Sequence, residues 1–89
     1  MKKIYCELHL FSLNQNVYIL DLESGNKELV ATTAMEQLPE VISAVSDARH
    51  IPEIMLYGNS ILGAAVSEDI IAYSKMHYSW NEIKVEVVK

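Results

Sequence analysis

From Lys3 to Phe11 the side chains alternate, with Ile4, Cys6, Leu8 and Leu10 on one face and Tyr5, Glu7, His9 and Phe11 on the other. A two-residue period with one apolar and one mixed face is that of a strand. Ser12-Leu13-Asn14-Gln15-Asn16 carries the turn-prone residues that close a hairpin, and Val17-Tyr18-Ile19-Leu20-Asp21-Leu22 resumes a β-branched and aromatic strand. Glu23-Ser24-Gly25-Asn26 is the clearest turn, because Gly25 and Asn26 both tolerate positive φ, and alternation returns from Lys27 to Thr32. Three consecutive strands predict a meander.

Beyond Thr33 the period lengthens. Leu38, Ile42, Val45 and Ala48 recur at three- and four-residue spacing, the stripe of an amphipathic helix. Pro39 belongs in its first turn, so the helix begins between Glu36 and Leu38, and His50-Ile51-Pro52 ends it. Glu53-Ile54-Met55-Leu56-Tyr57 is a short, almost wholly apolar run and reads as an interior strand covered on both faces. Gly58-Asn59-Ser60 turns the chain into a second helix, with Leu62, Val66, Ile70 and Tyr73 on one stripe and Ile61, Ala65, Ala72 and Met76 beside it. Ser67-Glu68-Asp69 offers a cap for a shorter version of that helix. After His77-Tyr78-Ser79-Trp80-Asn81, the segment Ile83-Lys84-Val85-Glu86-Val87 alternates cleanly and reads as an exposed or edge strand.

The resulting order is βββαβαβ, which predicts a single α/β domain spanning residues 1–89. Its sheet is mixed, of about five strands, and two helices on right-handed crossovers make two or three layers. This layout resembles a minimal ribonuclease H-like domain, in which three antiparallel strands precede a helix, a parallel strand, a helix and a strand. The resemblance rests on element order and covers nearly the whole chain. It implies a test for chemistry, because nucleases of that type place carboxylates on the first strand, the first helix and the end of the fourth strand, where paired divalent ions need hard oxygen ligands. Glu7 and either Glu36 or Glu40 match the first two places, but the fourth strand runs into Gly58-Asn59-Ser60, a neutral amide where an acid is wanted. A competent two-metal site is therefore not expected.

Composition narrows the field further. An 89-residue chain with 51% apolar residues is slightly rich for its size, which suits a dense core or an oligomer contact. Twelve acidic residues against seven Lys and Arg leave a net charge of −5, and that charge repels a phosphate backbone. Met1-Lys2-Lys3 looks like a basic leader start, yet Glu7, His9, Asn14 and Gln15 interrupt any apolar run behind it, so a cytoplasmic protein without a membrane segment is expected. Cys6 stands alone, which excludes an internal disulfide, and it reads as a small buried hydrophobe on a strand. His9, His50 and His77 form no i, i+4 pair, the serines lack a nucleophile-elbow context, and neither a P-loop lysine nor a G-x-G-x-x-G is present. No cofactor or metal is expected. Gly58, Asn59 and Ser60 remain the best small-ligand candidate, since a strand-turn-helix junction can aim N–H groups at an anion; the plainer reading is a turn and a helix cap.

Aromatic residues point elsewhere. Tyr78 and Trp80 lie in a polar stretch, where a large side chain either plugs the end of the core or anchors a contact, and the last strand, with Val85 and Val87, offers an edge for pairing with another copy. The leading expectation is a small non-enzymatic interaction or regulatory protein with a protein partner, acting through a sheet edge or face and through self-association as a homodimer. Its acidity also suits an inhibitor that mimics nucleic acid or caps a basic site, as small phage-encoded proteins do by analogy. The alternative is a degenerate ribonuclease H-like domain that binds a nucleotide or acts on nucleic acid through Glu7, Glu40 and Asn59.

Overall fold

The computed structural model describes every residue from Met1 to Lys89. The strands are β1 (Lys2–Glu7), β2 (Gln15–Asp21), β3 (Lys27–Thr33), β4 (Glu53–Tyr57) and β5 (Lys84–Val88), and the helices are α1 (Leu38–Arg49), entered through a 3-10 turn at Met35–Gln37, and α2 (Ser60–His77). One sheet contains all five strands in the order β3-β2-β1-β4-β5. β1 is central, antiparallel to β2 and parallel to β4; β3 pairs antiparallel with β2, and β5 parallel with β4. The alternating and helical periods in the sequence thus become the mixed α/β fold and element order they predict. No helix is long and apolar enough to cross a membrane.

The chain leads from β1 to β4 through the meander and α1, and from β4 to β5 through α2, each time one strand further toward the same edge. Two crossovers of one hand that step in one direction lay their helices on one face of the sheet. The core confirms that placement: Ile4, Cys6, Val17, Ile54 and Leu56 from the sheet pack with Leu38 and Ile42 of α1 and Val66 and Ile70 of α2. Each such aliphatic side chain removed from water contributes about 1.5–3 kcal/mol. Of the two- and three-layer arrangements compatible with the sequence, the fold takes two layers. β4 is therefore covered on one face only, which corrects the expectation of an interior strand covered on both. Ile54 and Leu56 are buried, Glu53 and Met55 are half-buried, and Tyr57 is exposed.

One boundary and two buried stripes also move. β1 leaves the sheet after Leu8, whose N–H donates to Tyr57 O at 2.8 Å, so Leu10 lies outside the core face on which alternation had put it. α2 is the longer of the two helices the sequence allows, because Asn59 Oδ1 accepts from the N–H groups of Ile61 (2.9 Å) and Leu62 (3.1 Å) and caps it. Its buried residues are Gly63, Val66, Ile70 and Ser74, a stripe turned by one position from the one built on Leu62 and Tyr73. In α1 the buried set is Leu38, Ile42, Ser43 and Ser46, while Ala48 is exposed.

Small residues cause both shifts, since they mark where elements approach most closely. Ser74 Oγ donates to Ser43 Oγ at 2.8 Å across the helix pair, and Ser43 Oγ donates to Ile70 O at 3.4 Å. A β-carbon on Gly63 would lie 2.5 Å from Val87 Cγ1, so only glycine lets α2 settle on β5 at this distance.

Candidate functional site

The connection between β1 and β2 is anchored by one buried amide. Gln15, the first residue of β2, is fully buried; its Oε1 accepts the His9 N–H at 2.8 Å, and its Nε2 donates to His9 O at 2.8 Å and to Ser12 O at 3.4 Å. Ser12 N–H donates to His9 O at 3.3 Å and closes a turn with Leu10 and Phe11 at its corners. Those corners face water: Leu10 is 58% exposed, Phe11 101%, and Leu13 just beyond them 91%. Buried polar groups are costly unless satisfied, so a Gln committed to holding this turn fixes the position of the apolar residues at its tip.

The same end of the sheet carries the exit from β4. Gly58 has φ 148°, and a β-carbon there would lie 3.0 Å from Leu8 O, so the backbones of the two connections touch. Tyr57 and Ile61, the latter 82% exposed, flank that turn. Leu10, Phe11, Leu13, Tyr57 and Ile61 thus gather at one end of the molecule. The sequence places Leu10 and Phe11 on opposite faces of a strand, with Phe11 beside Tyr5, Glu7 and His9, and Leu13 in the following turn, and it marks none of the three as a site. The available signal was three large apolar residues interspersed with Ser12, Asn14 and Asn16, a stretch in which nothing apolar is needed to turn the chain.

Between this tip and the opposite end, the uncovered face of the sheet has a structure of its own. Tyr5 and Tyr18 are cross-strand partners with ring centroids 6.3 Å apart, and Lys27 Nζ lies 5.3 Å from each ring centroid. Tyr5 Oη donates to Glu7 Oε1 at 2.8 Å. Burial, then this bond to Glu7, pushes the Tyr5 phenol up to about 12. The bond from Tyr5 in turn holds the Glu7 carboxyl below its ordinary range, helped by His9, whose Nε2 is 3.4 Å from Glu7 Oε2. On the covered face, burial pushes the Cys6 thiol up to about 12, so it stays protonated and unreactive at neutral pH.

The carboxylate cluster weighed from the sequence does not assemble. Glu7 lies on the bare face with Tyr5, whereas Glu40 is exposed on α1 in the helix layer, where burial first and the Glu40 carboxylate second hold the Tyr73 phenol above its ordinary value. The sheet separates the two acids, and no three His, Cys, Asp or Glu side chains lie together as a metal cluster. Asn59 is engaged as the cap of α2. At the Gly58-Asn59-Ser60 turn, Gly58 N–H donates to Val88 O at 2.9 Å and Asn59 O accepts from Gly63 N–H at 2.7 Å, so these groups are engaged within the chain itself.

Near the C-terminus, Trp80 is 9% exposed, with its ring 5.5 Å from that of His50 and its Nε1–H buried without a partner. It plugs the core beside the end of α1 and presents little surface to another molecule. Tyr78 is half-buried in an aromatic row with Tyr73 and His77, whose rings stack at 4.0 Å. Val85 and Val87 turn their side chains toward the helices, Val85 onto the core and Val87 onto Gly63. Three surface depressions are lined mainly by polar residues, among them Glu53, Asn81, Glu82 and Lys84 in one and Lys75, Ser79 and Asn81 beside Trp80 in another. No protein-family model and no curated protein matches the chain.

Proposed function

We propose that this protein is a non-enzymatic interaction module that regulates another protein by docking on it through the Leu10-Phe11-Leu13 tip. The carrying observation is the Gln15 amide, which holds the turn in shape while its corner side chains stand in water. An aromatic and aliphatic knob kept in one conformation loses little entropy on binding, and such residues anchor interfaces when they enter an apolar cleft. A net charge of −5 favours a partner whose cleft has a basic rim, through faster encounter more than tighter contact. The uncovered sheet face beside the tip, with Tyr5, Tyr18 and Glu7, provides a polar and aromatic surround.

The ribonuclease H-like resemblance, supported by element order and strand direction, is proposed here as a relation of architecture. The separation of Glu7 from Glu40 gives its chemistry no support.

The test compares what the wild-type chain and a Phe11→Ser, Leu13→Ser double variant retain from a native lysate, with captured proteins identified by mass. One protein retained by the wild type and lost by the variant, at unchanged thermal stability, is the expected result. An identical set of captured proteins would remove the tip from function.

A further inference from the structure

The outer strand β5 leaves one edge of the sheet open. Lys84 N–H donates to Pro52 O at 2.9 Å and Val88 O accepts from Gly58 N–H at 2.9 Å, so the even-numbered residues of β5 turn their main-chain groups toward β4. Residues of a parallel strand alternate in this respect, and the N–H and C=O groups of Val85 and Val87 therefore face outward along a free edge. The opposite edge differs. Between the pairs Val17↔Ala31 and Tyr18↔Leu29 the register shifts, leaving Val30 as an extra residue in β3. A bulge of that kind twists an edge strand and disrupts the row of groups a new strand would use. β5 has no register shift along its pairing with β4.

We propose that two copies of this chain associate by antiparallel pairing of β5 with β5 about a twofold axis at Val85, forming one sheet of ten strands. The occupant and the register both follow from charge. Lys84 and Glu86 point to the bare face of the sheet, on either side of Val85. Centred on Val85, the pairing sets Lys84 of each copy directly opposite Glu86 of the other, two favourable cross-strand pairs. Centred on Glu86, it would set the two Glu86 carboxylates against one another. Centred on Val87, it would leave Lys84 beyond the paired segment and Glu86 opposite a valine. Only the first register is self-complementary, as a twofold interface requires. An antiparallel twofold of this kind also keeps both helix layers on the same side, so the bare face continues unbroken across the dimer.

Charge reversal tests this without touching the core, because both side chains lie on the uncovered face. Light scattering across concentration should give twice the monomer mass for the wild type. Lys84→Glu alone and Glu86→Lys alone each place like charges opposite one another twice, and each should weaken dimerisation roughly tenfold or more. Combining both changes in one chain restores opposite charges in the same register and should restore the dimer. Mixing the two single variants should produce a heterodimer, since every facing pair is then of opposite sign. Circular dichroism and melting temperature verify that each variant folds. A wild type that stays monomeric up to about 1 mM, well above the range of specific self-association, overturns the proposal. So does a dimer that ignores both single reversals, or one that the double reversal fails to restore. The dimer is independent of the Leu10-Phe11-Leu13 tip, and a Phe11→Ser chain should keep the dimer mass, so failure of either reading is visible separately.

Discussion

The two faces of the sheet are built on different physics. Against the helices, Ile4, Cys6, Ile54 and Leu56 make a dry aliphatic layer in which every contact depends on close fit. On the bare face, one residue along in the same strands, Tyr5, Glu7 and Met55 are half-buried, and the polar groups there are satisfied by their own neighbours: the Tyr5 phenol on the Glu7 carboxylate, and Lys27 over the rings of Tyr5 and Tyr18. A single strand therefore contributes to two environments, and the difference teaches where this protein keeps its stability and where it can change partners. Loss on the covered face should cost folding. Loss on the bare face should cost little, which leaves that surface free for recognition.

The largest effect should come from the middle of the covered face. Leu56→Ala removes a fully buried side chain from β4 and should lower stability by about 2–5 kcal/mol, read from the midpoint of urea unfolding. A cost below that range would mean that the helix layer packs loosely. At the seam between layers, Gly63→Ala drives a methyl group into Val87 and should cost about 1–3 kcal/mol through displacement of β5 from α2. If the dimer forms through β5, that variant should also dissociate at lower dilution than the wild type, because the strand offered to the partner has moved.

The smallest effect belongs to the bare face and shows only at high pH. Tyr5 is raised from 10.0 to about 12, so below pH 10 its protonated form contributes fully to stability. As pH rises from 10 to 12 the unfolded chain loses that proton first and the contribution is lost. Cys6 acts in the same direction on the other face, from 9.0 to about 12. Stability should fall above about pH 9, and Tyr5→Phe should make the fall between pH 10 and 12 shallower without changing its onset. An unchanged slope would show that the phenol titrates alike in the folded and unfolded chain, and that its bond to Glu7 carries no weight.

Much of this architecture was legible from residue order. Alternation and helical spacing mark all five strands and both helices, and the boundaries that slipped have local causes. Leu10 continues the apolar alternation of β1, yet the chain turns away because Gln15, a residue expected in the turn, is drawn into the core to bind His9 and Ser12. The helix stripes came out one position off because hydropathy assigns no weight to Gly63, Ser43 or Ser74, which are buried for their small size. Of the candidate site, Trp80 could be read either way until its surroundings were known, and the tip was divided between two readings, with Leu10 and Phe11 continuing the alternation of a strand and Leu13 falling in the turn behind it.

What the sequence determined alone is the identity and order of the elements, since side-chain period and turn chemistry act over a few residues. Only the tertiary structure decided that both helices share one face, that Glu7 and Glu40 stand on opposite sides of the sheet, and which main-chain groups of β5 face outward. Those are relations between segments far apart in the chain, set by crossover hand and strand order, and no local pattern encodes them.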